Sequence, residues 1–426
     1  MLPMTELTLS PGVTLRVVQT KKFKTSLLAV TFVEPLTAEH AALHALLPKV
    51  LHRGTQTHPD MQALSAALDE LYGGSIQPIL RKKGEVQCIG FWGSFLDEAF
   101  LPAGTSILEE ATALLGELVL APAGEKGTFV PAYVDSEKKN LIDQIRAQLN
   151  DKLQYAMARL RGQMCAEEAY GLDKLGTEVQ AKAITGEALY TRYQEMLAQA
   201  PVYLYYCGSA DPARVEAAFR AAFAGLPNGE RRPVPQTQVV NSPAGPVRRF
   251  QDAMDVGQGK LILGFRTGGS FRSQESIARG LLFNAIYGGT TTSKLFLHVR
   301  EKLSLCYFAN SSLAQNKGIL QVYSGVEFAN FQKAEEEILA QLAACQKGEI
   351  SQEWEAARRS VMGSLRTTLD AQGRLEEYWL NRFVSGTDFP PEALAEEVDR
   401  VTLDQVVETA QKIQLDSIYT LRGKEG

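Results

Sequence analysis

The 426-residue chain has no apolar run approaching the ~18–20 residues that a membrane-spanning helix needs. It opens Met1-Leu2-Pro3-Met4-Thr5-Glu6, with neither a basic start nor an apolar segment, so no secretory signal is expected. Basic residues are spread among acidic ones and the net charge is −5, which argues against a nucleic-acid surface. Cysteine is scarce. Cys88, Cys165, Cys207, Cys306 and Cys345 are odd in number, far apart and without a C-x-x-C pair. That excludes a disulfide framework and a Cys-rich zinc site, and points to a reducing compartment. These thiols are expected as small buried hydrophobes. Neither G-x-x-x-x-G-K-[ST] nor G-x-G-x-x-G occurs, so Gly288-Gly289 is not read as a phosphate loop. A cytoplasmic protein with no cofactor, no membrane contact and no nucleic-acid partner is the expectation.

What is present is long enough for two or three domains. The chain repeats itself at a spacing of about 235 residues. The strand-like Leu27–Phe32 is echoed by Leu261–Phe265, and the apolar helix 43–52 by Ile277–Tyr287. Gly84–Gly90 is echoed by Gly318–Tyr323, both alternating as half-buried strands do. Long charged helices are predicted over Asp135–Gln163 and Ser351–Thr368. The first half closes with a strand, Val202–Gly208, and a helix over Asp211–Phe223 with Pro212 in its first turn. A proline-rich stretch separates the halves. The predicted fold is α+β: two duplicated domains, each a mixed, mostly antiparallel sheet with helices packed on one face. The expected boundaries are 1–227, a linker over 228–246, and 247–426.

Histidine offers one pair at helical spacing, His40 and His44. Two imidazoles at i and i+4 leave the same helix face and can reach one ion. A hydrolytic metal site also needs a positioned carboxylate base. Here Glu39 precedes His40, Ala41 follows it, and position 36 is Leu36, so neither H-E-x-x-H nor H-x-x-E-H is formed. The pair is therefore read as solvated or capping histidines near a helix start.

The run Leu43–Thr55, ending in Arg53-Gly54-Thr55, resembles the zinc helix of the pitrilysin/insulinase peptidases, the inverted zincins, whose pattern is H-x-x-E-H followed by an apolar stretch and basic-Gly-Thr. Leu68–Gly74 sits where that family has its Leu-Gly-Gly turn, and Glu137–Ile145 resembles its E-R-x-V-I-L-x-E-I helix. In that frame the first His falls on Ala45, the Glu base on Pro48, the second His on Lys49 and the third ligand on Gln144. All four positions depart from the pattern. Ala45 has no donor, a protonated Lys49 repels a cation, Gln144 is a weak ligand and Pro48 cannot act as a base. The resemblance therefore implies no catalytic residue and no metal.

In the second half, Val299–Tyr307 resembles the family's R-E-x-x-x-L-x-Y motif, preceded by Ser293-Lys294-Leu295-Phe296, which is similar to its S-[RK]-L-[FY] segment. The resemblance implies that Arg300 and Tyr307 hold a peptide carbonyl near a zinc supplied by another chain. It points to the non-catalytic subunit of a heterodimer, with a zinc-bearing family member as partner, a peptide as substrate and a homodimer as an option when the chain is alone. Lys21-Lys22-Phe23-Lys24-Thr25 together with Ala42–Leu51 resembles one bacterial subgroup in particular, the proteins called elongation factor P aminopentanol modification-associated. Two alternatives stay open: a divergent metal-dependent peptidase using His40, His44 or another ligand set, and a purely structural subunit like the respiratory-complex core proteins.

Overall fold

The apolar stretches form the central strands of two sheets. The structure, a computed structural model, describes residues 2–102, 104–125 and 127–424. The first sheet contains β1 (Met4–Ser10), β2 (Val13–Gln19), β3 (Thr25–Pro35), β4 (Ser75–Lys83), β5 (Val86–Leu96) and β6 (Val202–Gly208), in the order β1-β2-β6-β3-β5-β4. The second contains β7 (Arg248–Met254), β8 (Gly259–Arg266), β9 (Cys306–Ala314), β10 (Ile319–Val326) and β11 (Gln414–Gly423), in the order β7-β11-β8-β10-β9. Apart from the extra β1, the two connectivities are the same. Each sheet has one parallel pair, β2 with β6 and β7 with β11, and is otherwise antiparallel. Gly84 (φ 62°) and Gly318 (φ 66°) occupy equivalent hairpins, where a left-handed turn residue matches the twist of the strands. The duplication expected from sequence is thus built into the topology.

The helices are α1 (Ala41–Leu51), α2 (Met61–Glu70), α3 (Leu108–Leu120), α4 (Pro131–Ala147), α5 (Lys152–Met164), α6 (Glu178–Ala183), α7 (Gly186–Gln199) and α8 (Pro212–Ala222). In the second half follow α9 (Gln274–Asn284), α10 (Phe331–Gln346), α11 (Ser351–Thr368), α12 (Gln372–Ser385), α13 (Pro391–Arg400) and α14 (Leu403–Gln411). The helix predicted over 135–163 is two helices. Asp151 accepts from the Leu153 and Gln154 N–H groups and starts α5, while Leu149, which continues the helical apolar spacing of Leu141 and Ile145, is 46% exposed.

Two compact units result, and neither is a contiguous half. The first joins Met1–Arg146, Asp173–Gln236 and Gln372–Gly386; the second joins Ala147–Leu172, Thr237–Ala371 and Thr387–Gly426. In the first unit, Leu28, Val30, Phe32, Leu204 and Tyr206 pack under Leu46, Leu47, Leu115 and Leu118 of the helices on one sheet face. The opposite face carries α12. Phe383 lies 4.7 Å from the Tyr203 ring, and the Arg16 guanidinium lies 4.1 Å over Trp379. Arg81 and Lys83 of edge strand β4 hold α12 through Glu376 and Glu377.

The second unit uses the same device with α5. Ala156 and Leu160 pack on Ile262, Tyr419 and Leu421. Gly264 makes the approach possible, since a Cβ there would sit 2.6 Å from Met164 Sδ. Glu168, just beyond α5, accepts from Arg266 (2.7 Å) and from the fully buried Lys317 (2.5 Å). Helices therefore cover one face of each sheet, as expected, and a single helix from far along the chain covers the other.

The proline-rich stretch has no regular element between α8 and β7; from Thr237 on it belongs to the second unit, where Lys317 Nζ donates to the Gln238 carbonyl (2.6 Å), and up to Gln236 it is fixed to the first. Arg231 donates to the Ala200 carbonyl (2.8 Å), and Arg232 pairs with Glu34 (2.7 Å). All five cysteines are buried and unbridged, with desolvation raising their thiol pKa values.

Candidate functional site

The helix that carries the would-be ligand positions, α1, is packed almost all round. Nine of its residues are buried, among them Ala45, Leu46, Leu47, Pro48, Val50 and Leu51. Pro48 supplies no N–H to the His44 carbonyl, so tertiary packing rather than helix propensity holds this segment. Ala45 is fully buried and presents only a methyl group. Lys49 and Gln144 do meet, as the sequence frame requires of two ligands of one site. Their contact is a hydrogen bond: Lys49 Nζ donates to Gln144 Oε1 at 2.5 Å. Desolvation pushes the Lys49 pKa down, and the nearby Glu137 carboxylate opposes this. A methyl, a proline ring, an ammonium and an amide do not fit a divalent metal. Among the described residues, no group of three or more His, Cys, Asp or Glu side chains is arranged to hold an ion.

The Arg53-Gly54-Thr55 ending that survives from the zinc-helix pattern has a structural use. Arg53 pairs with Glu137 of α4 (3.0 Å) and lies 5.1 Å over the Tyr133 ring. The Thr55 hydroxyl donates to Glu117 of α3 (2.6 Å). A Cβ on Gly54 would collide with the Pro59 carbonyl at 2.5 Å. The three residues tie the end of α1 to two neighbouring helices.

His44 corrects a sequence expectation. It is neither solvated nor capping but fully buried. Arg192 Nε donates to His44 Nε2 (2.9 Å); a guanidinium can only donate, so the imidazole proton sits on Nδ1 and is given to Gln87 Oε1 (2.8 Å). Gln87 passes the chain on by donating to the Lys174 carbonyl (2.8 Å). Arg192 Nη2 also lies 2.8 Å from the buried carboxylate of Glu34. Desolvation, then the Arg192 charge, pushes the His44 pKa down to about 3, so the ring is neutral with both nitrogens engaged. His40 stands at the N-cap of α1 without capping it, its ring 5.7 Å from that of His44. The two histidines share a helix face but offer no ligand pair. Sequence reasoning missed Glu34, Gln87 and Arg192. The available signal was Glu34 itself, a lone charge in the apolar strand Thr31-Phe32-Val33-Glu34-Pro35.

Arg300 and Tyr307 lie in the second unit, in irregular backbone. Arg300 belongs to a π-helical segment, Leu295–Lys302, that packs against β9. It is 41% exposed, with Nε 3.5 Å from Glu301 and its guanidinium 4.6 Å over the Phe296 ring. Ser304 (φ 49°) then reverses the chain into edge strand β9. In the β9–β10 register, Phe308 faces Gly325 and Cys306 faces Val326, so Tyr307 is the extra residue of a β-bulge. A bulge re-aims its side chain, and Tyr307 is 63% exposed. Buried contacts secure this region from below. Leu295 and Val299 are fully buried, and Lys294 pairs with Glu353 of α11 at 3.2 Å.

Comparison with known proteins bears on the family and the fold. The family model described as the peptidase M16 inactive domain matches residues 183–361. A Bacillus subtilis protein named probable inactive metalloprotease YmfF is 36% identical over 419 residues, covering 97% of both chains. A Rickettsia felis protein named uncharacterized zinc protease is 22% identical over 301 residues, 69% of this chain and 71% of its own. Among solved structures, a conserved protein from Enterococcus faecalis aligns with a TM-score of 0.89 at 26% identity over 99% of both chains. A peptidase M16 inactive domain from Pseudomonas fluorescens gives a TM-score of 0.79 at 16% identity over 99% of both chains, a likeness of fold alone.

Proposed function

The chain belongs to the M16 peptidase family as an inactive homologue of its metallopeptidases, and we propose that it serves as the non-catalytic subunit of a peptide-degrading heterodimer. In this reading a zinc-bearing family member supplies metal and base. This chain contributes Arg300 and Tyr307 toward the peptide carbonyl and part of the wall around the substrate, in the cytoplasm. The observation that carries it is an asymmetry. The ligand positions Ala45, Pro48, Lys49 and Gln144 hold no metal chemistry, whereas Arg300 and Tyr307 remain exposed on a π-helix and a bulge. An exposed guanidinium offers a fork of N–H donors to a carbonyl, and a phenol can stabilise the oxyanion that develops on it.

The test is reconstitution with the zinc-bearing M16 protein of the same organism. The chain alone is expected to bind no stoichiometric zinc and to leave internally quenched peptides intact. The mixture is expected to cleave them with one zinc per pair. Chelator-sensitive cleavage by the chain alone would overturn the reading.

A further inference from the structure

We propose that Phe296 is a positioning residue for Arg300: its ring holds the guanidinium so that the N–H edge stays free for a peptide carbonyl. This rests on the reading of Arg300 as a substrate-binding group. An arginine side chain that is 41% exposed samples many rotamers unless something restrains it. Its acidic neighbour, Glu301, is 54% exposed and 3.5 Å from Nε, a weak restraint in water. The Phe296 ring, 4.6 Å from the guanidinium carbon, adds a restraint of another kind, because a cation over an aromatic face is held without using its hydrogen-bond donors. The ion pair with Glu301 engages Nε, so both Nη groups face no ion-pair partner among the described residues. Arg192 shows the opposite arrangement, with Nε on His44, Nη1 on Glu195 and Nη2 beside Glu34.

Phe296 is itself fixed. Its N–H approaches Ser293 Oγ (3.4 Å), and it follows the fully buried Leu295. The preceding Lys294 is anchored on Glu353 inside the unit. The path runs from α11 through Lys294 and the π-helical backbone to the ring, and from the ring to Arg300. Phe296 touches no substrate in this scheme; it acts through Arg300.

Two measurements test the proposal. Relaxation of the Arg300 Nε–H group in the isolated, arginine-labelled chain reports its order. F296L keeps apolar volume and removes the π face, so the order is expected to fall, while F296Y restores it. In the reconstituted complex, with an internally quenched peptide as probe, F296L is expected to raise KM about three- to tenfold with little change in kcat. It should have no further effect on top of R300A, and F296Y should behave as wild type. Unchanged Arg300 order in F296L, or additive effects of F296L and R300A, overturns the proposal. If F296L loosens Arg300 but R300A leaves cleavage unchanged, the substrate-binding reading has failed and the proposal falls with it. The relaxation data identify which step was wrong.

Discussion

The α1 helix and the π-helical segment belong to two duplicated units, α1 following β3 in the first and the π-helical segment preceding β9 in the second, and chemistry has been treated oppositely in them. In α1 every polar side chain that could have faced a metal is absent or spent on a protein partner: Lys49 on Gln144, His44 on Gln87 and Arg192, Arg53 on Glu137. Around Arg300 and Tyr307 the backbone keeps a π-helix, a positive-φ serine and a bulge, and the side chains stay exposed. Irregular backbone costs stability and persists where something holds it in place. The contrast is between a helix whose polar groups serve the scaffold and a segment of the second unit that leaves an arginine and a tyrosine exposed.

Breaking the scaffold should produce the largest effect. Arg192→Met leaves the fully buried Glu34 with only the half-exposed Arg232, and should cost about 3 kcal/mol of stability in urea unfolding. Arg300→Ala and Tyr307→Phe should shift stability by about 0.5 kcal/mol or less, as exposed positions do. In the reconstituted complex Tyr307→Phe should lower kcat by about a hundredfold, the usual loss for one oxyanion donor, and Arg300→Ala, which removes the fork that binds the carbonyl, should raise KM by more than about tenfold. Full cleavage by both variants would instead favour a purely structural subunit.

His44 gives a pH signature for the scaffold. Its pKa is held at about 3 in the folded protein, below its ordinary value of 6.5. Below pH ~6.5 the unfolded chain therefore takes up a proton that the folded one refuses, and stability falls as pH drops, by up to ~1.4 kcal/mol per pH unit from this group. His44→Gln should lower stability at pH 8 and flatten the decline between pH 6.5 and 5, measured by urea midpoints. An unchanged slope would show that His44 is not the titrating group.

The smallest effect on cleavage should come from Lys49→Ala. It removes one hydrogen bond at a half-buried position and should change stability by about 1 kcal/mol or less, with cleavage by the complex unaltered. A large loss of cleavage would mean that α1 still takes part in substrate handling.

Much of the fold was legible because strands and hairpin glycines obey local rules. Val202–Gly208 and Ser351–Thr368 form the elements their patterns predict. The break at Asp151 was hidden because apolar spacing continued through Leu149 into α5 while the capping aspartate carried the decisive contact. The burial of His44 was hidden for a related reason. Its partners come from β5 and α7, and helical spacing says nothing about what a face meets.

The amino-acid sequence by itself determined the loss of metal chemistry, because atom types are fixed by residue identity: no packing gives Ala45 a donor or makes Pro48 a base. It also determined the duplicated strand pattern. Tertiary structure alone decided that Lys49 meets Gln144, that His44 is neutral, and that α5 and α12 each cover the second face of a sheet built mostly from the other half of the chain. Those outcomes depend on surfaces complementary across long sequence separations, such as the space that Gly264 leaves for Met164 and the pairing of Arg81 with Glu376. Local propensity does not encode such pairings, since their energy appears only when both partners are already in place.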